Sequence, residues 1–142
     1  MSAGSPTPLC FIDTNVWLYA FIPSQDLNKS RKANAVIQQS ETIISSQVIN
    51  EVCVNLIKKA HFDEPRIRQL INSFYNRYNI IVVDKSLLLR ASEVRETLQV
   101  SYWDSLIISS AIMGGAEILY SEDMTDGRVI ESRLTIINPF AP

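Results

Sequence analysis

The stretch FIDTNVWLYAF, Phe11 to Phe21, decides how the chain is read. It opens on two apolar residues, turns polar at Asp13, Thr14 and Asn15, and resumes at once with large apolar side chains. A buried strand that passes through a turn into a packed helix has this pattern. Its consequence is a carboxylate, Asp13, held at the carboxyl end of a strand. In open α/β sheets, ligands bind just beyond those ends.

Outward from this stretch, the same kind of apolar run recurs. LCFI (Leu9 to Ile12), TIIS (Thr42 to Ser45), IIVV (Ile80 to Val83), ILY (Ile118 to Tyr120) and LTII (Leu134 to Ile137) do not alternate with polar residues. Such runs suit strands covered on both faces. The segments between them have helical spacing. Gln47 to Ala60 aligns Val48, Val52 and Leu56; Asp63 to Tyr78 aligns Ile67, Leu70, Ile71 and Phe74. Lys85 to Leu98 carries Leu88, Leu89 and Val94, and Trp103 to Met113 carries Leu106, Ile107, Ala111 and Ile112 before Gly114-Gly115. Alternating strands and helices predict an α/β three-layer sandwich around a central, mostly parallel five-stranded sheet. Residues 9–142 are expected to form a single domain behind a loose tail, Met1 to Pro8. Phe21 to Ser30 is expected to be a mobile loop.

Composition narrows the class. A chain of 142 residues, 46% hydrophobic and 20% charged, suits one globular domain. No apolar run approaches the roughly 20 residues of a membrane span. The opening MSAGSPTPLC lacks the basic start and apolar centre of a signal peptide. Cys10 and Cys53 each sit in an apolar segment without a spacing motif, which predicts buried thiols in a reduced compartment, the cytoplasm. Four glycines without a cluster exclude a glycine-rich nucleotide-binding turn. The single histidine, His61, has no partner at ligand spacing, which argues against zinc and against a Ser-His-Asp triad. A receiver domain would pair a second acid with Asp13, where Ile12 stands; a phosphatase of the haloacid dehalogenase kind would place one at Asn15. The net charge of −2 lacks the basic excess of an ordinary nucleic-acid binder.

The acids carry the remaining information. Asp13 follows the first strand, Asp84 the third, and SEDMTDG, with Glu122, Asp123 and Asp126, follows the fourth. Glu51 in SSQVINE and Asp104 in SYWDSLIISSA lie near helix starts. Singly, each has an ordinary structural use. Asp13 and Asp84 can cap helices, Asp104 with Ser101 has capping-box spacing, Glu51 can be solvated, and Asp123 and Asp126 can serve turns. Together, Asp13, Glu51, Asp104 and Asp123 are expected to face one end of the sheet. Crowded carboxylates repel unless a cation sits among them, and oxygen ligands suit Mg²⁺ or Mn²⁺.

FIDTN at a strand end, a glutamate in the second main helix, an aspartate opening WDSLIISSA and the strand-end LYSEDM together resemble the PIN domain family, and within it the bacterial proteins that include VapC-type toxins of toxin–antitoxin pairs. The resemblance runs from Leu9 to about Phe140. It implies a Mg²⁺- or Mn²⁺-dependent endoribonuclease that leaves 5′-phosphate and 3′-hydroxyl ends. Carried over residue by residue, the catalytic acids are Asp13, Glu51, Asp104 and Asp123, with Asp13, Asp104 and Asp123 on the metal. Asn15 matches a residue that orders the first acid, Ser121 the hydroxyl before the last one, and Asp126 a looser position near the metal. Glu122 is expected to point away, and Asp84 is returned to capping. Lys29, Arg31, Lys32 and Arg128, with Lys58 and Lys59, are candidate RNA contacts. The implied partners are RNA, a small antitoxin and a second copy of the chain. The alternative is a PIN-like domain that binds RNA or protein without cutting.

Overall fold

The structure, a computed structural model, describes residues 7–142. The first six residues of the expected tail lie outside the described residues; Thr7 and Pro8 are exposed and irregular. The chain then runs β1 (Leu9–Ile12), α1 (Thr14–Phe21), a short 3₁₀ turn (Pro23–Gln25), α2 (Leu27–Gln39), β2 (Glu41–Ser45), α3 (Ser46–Ala60), α4 (Glu64–Arg77) and β3 (Asn79–Ile81). It continues through α5 (Lys85–Thr97), α6 (Tyr102–Met113), β4 (Ile118–Tyr120), β5 (Val129–Ile130) and β6 (Leu134–Ile137).

Each helix starts on a residue whose side chain accepts one of the backbone N–H groups that the first turn leaves unpaired. These caps are Asp13, Asp26, Ser45, Asp63, Asp84 and Ser101. Asp84 is therefore a cap, as expected. His61 closes α3 in the left-handed conformation, with φ 54°.

The strands lie in the order β3-β2-β1-β4-β6-β5, all parallel except the β5–β6 pair. Phe11 and Ile12 are consecutive in β1 and both fully buried. Because neighbours in a strand point to opposite faces, both faces of the sheet are covered, as the unbroken apolar runs predict. One helical group is α1 with α2 and α3; another is α6 with α5. Every residue of α6 from Ser105 to Ile112 is buried, so this helix has no solvent stripe and its position is fixed by packing on all sides.

Two details differ from the sequence reading. The sheet has six strands, not five. The extra one, β5, is two residues long, half exposed, and joined to β6 through Glu131 and Ser132 at φ 53° and 57°. Neither residue advertises a left-handed turn, so sequence pattern does not mark the hairpin. The segment Phe21 to Ser30 is also more ordered than a loop, because Asp26 caps α2 through the Lys29 N–H at 3.0 Å and Ser30 is buried. Among the described residues, no helix is long and apolar enough to cross a membrane.

From β1 the sheet grows through β2 and β3 on one side and through β4 and β6 on the other. Strand order thus reverses between β1 and β4, and ligands in open α/β sheets bind in the crevice at that point. Ile12 pairs with Tyr120, so the two strands end level. Asp13 and Ser121 are the next residues, and the Asp13 N–H donates to the Tyr120 carbonyl at 2.9 Å. Behind them Trp17 anchors α1. Its Nε1 donates to the Ile12 carbonyl at 3.1 Å, and its ring meets Phe74 edge-on at 5.3 Å.

Candidate functional site

The four acids singled out from the sequence line one cleft of about 240 Å³ at this crevice, together with Thr14, Asn15, Gln47 and Trp103. They arrive by four routes: Asp13 from the end of β1, Glu51 from the second turn of α3, Asp104 from the first turn of α6, and Asp123 from just beyond β4.

Asp13 is the most constrained. It is 8% exposed, its Oδ1 accepts from the Thr14 N–H at 2.8 Å, and its Oδ2 accepts from the Ser121 hydroxyl at 2.9 Å. Burial pushes its carboxyl up to about 6. The Ser121 and Thr14 hydrogen bonds pull it down, and the charges of Glu51 and Asp104 push it further up. The Asp104 carboxyl is also raised, first by burial and then by Asp123 and Glu51, against a lowering contact from Ser101. In the expected capping box, the Asp104 carboxylate would accept the Ser101 N–H. Ser101 makes one half of that box, its hydroxyl accepting the Asp104 N–H at 3.0 Å, and the Asp104 side chain lines the cleft.

Glu51 is clamped at both oxygens. The Thr14 hydroxyl donates to Oε2 at 2.7 Å and Gln47 Nε2 donates to Oε1 at 2.8 Å. Sequence spacing carries only a weak signal for either clamp. Gln47 lies four residues before Glu51 on α3, a spacing that places two side chains on one face, and Thr14 adjoins Asp13. Asn15 Nδ2 donates to Asp123 Oδ2 at 2.8 Å. Ser121 ties Asp13 to the strand end carrying Asp123, because its oxygen also accepts the Asp123 N–H at 3.3 Å.

Asp126 does not line the cleft; its carboxylate accepts from the Asn138 N–H at 2.8 Å. Glu122 faces elsewhere, as expected, pairing with Lys29 and accepting from the Tyr19 hydroxyl at 2.9 Å. Lys29 is thereby engaged, its ammonium also lying over the rings of Tyr19 and Phe140 at 4.9 and 5.5 Å. Arg31, Lys32, Lys58 and Arg128 do not line the cleft. Lys59 lines an adjacent cavity that shares Asn15 and Leu18 with it.

Among the described residues, every ion pair lies away from the four acids. Their mutual repulsion is therefore not relieved by a lysine or arginine. No three such side chains already stand at closed metal-binding spacing among the described residues. The donor set nevertheless fits a hard cation. All its ligating atoms are oxygens, and Asn15 Oδ1 is buried without a hydrogen-bond partner. An open set of this kind suits Mg²⁺, which keeps several waters of its own.

Fold and site together define a doubly wound α/β protein with an acidic cleft at its switch point. The PIN domain family model matches residues 10–125, most of the chain, and the chain belongs to the PIN domain family. No curated protein sequence matches it. Among solved structures, it is similar to a toxin–antitoxin complex from Klebsiella pneumoniae, at 20% identity and a TM-score of 0.69 over 92% of this chain and 98% of that one. It is similar to VapBC2 from Rickettsia felis, bound to a DNA fragment from its promoter, at 20% identity and a TM-score of 0.61 over 92% and 99%. The sarcin-ricin loop cleaving toxin VapC20 of Mycobacterium tuberculosis is similar at 16% identity and a TM-score of 0.62 over 80% and 89%.

Proposed function

We propose that the chain is a Mg²⁺- or Mn²⁺-dependent endoribonuclease and the toxin of a cytoplasmic toxin–antitoxin pair. The observation that carries the proposal is the convergence of four acids from four elements on one cleft, with no lysine or arginine among them in the described residues. Folding does not require such a group, because crowding and desolvation raise its cost. Membership of the PIN domain family and the likeness to toxin–antitoxin structures support the same reading.

Asp13, Asp104 and Asp123 are the residues that would hold the cation. When bound, it supplies charge to polarise a phosphate oxygen and to acidify a water. Ser121 and the Thr14 N–H hold Asp13 with both its oxygens placed, and Asn15 holds Asp123. Thr14 and Gln47 fix Glu51 beside them, where it takes the proton of the attacking water. Water attacks phosphorus in line, the bond from phosphorus to the ribose 3′-oxygen breaks, and that oxygen takes a proton from solvent, giving 5′-phosphate and 3′-hydroxyl ends. A second copy of the chain would dock through α3 and α4, where Val54, Ile57 and Tyr75 are exposed. An antitoxin would occupy the acidic groove.

The test is incubation of RNA with Mg²⁺ or Mn²⁺, with the parent compared against Asp13→Asn and Asp104→Asn. The parent cuts; each variant loses about 100-fold or more in rate, the usual cost of removing one electrostatic group from a reacting centre. Cleavage that survives both changes, and so does not come from this site, or that never appears on any RNA, assigns the domain to binding alone.

A further inference from the structure

Beside the acidic cleft lies a larger cavity of about 630 Å³, lined by Ser46, Gln47, Asn50, Val83, Trp103 and Leu106, with Glu51 on its border. It shares Gln47, Glu51 and Trp103 with the acidic cleft. Whatever occupies it therefore lies next to the group that would hold the reacting phosphate. We infer that this cavity seats one unpaired nucleobase of the RNA, stacked on Trp103, next to the bond that is cut. The inference rests on the ribonuclease reading of the adjoining acids and adds to it the means of positioning the substrate.

Trp103 is an exposed aromatic ring in the wall common to both cavities. It is 63% exposed, whereas Trp17, the other tryptophan, is 2% exposed and fills the core. Tryptophan is a residue whose exposed ring face can stack on a base. The indole is also braced. Tyr102 meets it at 5.3 Å and 81°, the Arg95 guanidinium lies 4.5 Å from the Tyr102 ring centre, and Arg95 Nη1 donates to the Ser105 hydroxyl at 2.8 Å. A ring held in this way presents a flat face with little ordering cost on binding.

The rest of the lining fits a base and not a phosphate. Among the described residues it contains no lysine or arginine, and its one charge is Glu51, which repels phosphate. Its polar groups are amides and a hydroxyl, the types that pair with base edges. Gln47 is only 9% exposed, and its Oε1 has no hydrogen-bond partner while its Nε2 is committed to Glu51. That leaves a buried acceptor in the wall common to both cavities, suited to an exocyclic amino group. Single-stranded nucleic acids are commonly held with their bases stacked on aromatic side chains.

The two tryptophans make the test direct. A labelled single-stranded RNA is titrated in EDTA, so that nothing is cut, with anisotropy reporting binding and indole emission reporting Trp103, since Trp17 is shielded. Binding quenches the emission in the parent. Trp103→Phe keeps affinity within about threefold but loses the quench, and Trp103→Ala weakens binding about 10- to 100-fold, the range for one base on an aromatic ring. With Mg²⁺ present, Trp103→Ala raises KM by a similar factor and leaves kcat largely intact. The inference is overturned if RNA binds without quenching, if it does not bind, or if Trp103→Ala binds as the parent does; the Trp103 face then belongs to a protein partner. Stacking without any cleavage would retain the base seat and remove the ribonuclease reading. Cleavage with an unaltered Trp103→Ala variant would do the reverse.

Discussion

Replacing Asp13 with asparagine should make the metal-free protein more stable at neutral pH, although it removes an acid expected to be essential. The Asp13 carboxyl is raised from an ordinary 3.8 to about 6, principally because it is buried. The folded protein therefore holds that proton more tightly than the unfolded chain does. Between about pH 4 and 6 the folded state carries the extra proton, so stability falls as pH rises through this window and levels off above it. A shift of about two units corresponds to about 3 kcal/mol at neutral pH. Asparagine keeps the shape without the charge: its oxygen can accept the Thr14 N–H, and its amide can donate to Ser121, the two partners Asp13 now uses. In EDTA near pH 7.5 the variant should gain up to about 3 kcal/mol, or about 5–10 °C in Tm for a domain of this size. Below about pH 4, where Asp13 is protonated in both states, the gain should vanish. Calorimetry at the two pH values decides the matter. A variant equal to the parent or weaker at neutral pH would refute the picture of a buried charge held at a cost, and so would a gain that does not depend on pH.

Adding Mg²⁺ at about 100 times its Kd should restore about 2.7 kcal/mol to the parent, read as a rise in Tm, and should move neither Asp13→Asn nor Asp104→Asn appreciably. Lys29→Met should cost no more than about 1 kcal/mol, since the Lys29–Glu122 pair is partly exposed. Cleavage should stay within about threefold of the parent, and a larger loss would return Lys29 to the RNA interface. Gly114→Ala should destabilise by about 1–3 kcal/mol on denaturant unfolding, because the added Cβ would lie 2.3 Å from Ile43 Cδ1 and 3.1 Å from the Ser110 carbonyl; unaltered stability would mean that the β2–α6 contact is slack. RNA affinity should fall only gently with salt, with a slope near −0.7 for each phosphate neutralised, because few basic side chains border the cleft. A steep slope would reveal a basic track elsewhere on the surface.

Much of the fold is legible because burial on both faces leaves a coarse, redundant signal. Five unbroken apolar runs mark five of the six strands, and caps such as Asp84 and Ser101 mark helix starts within a residue or two. What escaped has little burial to betray it. The β5 hairpin is two residues long with Val129 exposed, and its turn uses Glu131 and Ser132 at positive φ in place of glycine. Asp26 in the expected loop was a cap in plain view. A polar stretch between helices gives no indication of whether its side chains bind its own backbone or water.

The site was legible for a different reason. Strand ends are where an α/β sheet gathers its ligands, so acids that follow strands can be placed without knowing their contacts. Asp13 and Asp123 lie just beyond β1 and β4, and Glu51 and Asp104 lie in the early turns of α3 and α6, whose starts mark the same end of the sheet. Contacts that depend on orientation were not found. Thr14 and Gln47 clamp Glu51, and Lys29 turns to Glu122, because each hydrogen bond is made by a short-range choice of rotamer. The clamps explain how the cluster persists. A carboxylate set against two others would swing toward solvent if it were free. Ser121, Thr14, Asn15 and Gln47 each donate a hydrogen bond to one of the acids, which holds negative charge in place without neutralising it. A salt bridge would have neutralised the acids and left nothing for a cation to do. Neutral donors keep the charge available, and burial of that charge raises the Asp13 carboxyl.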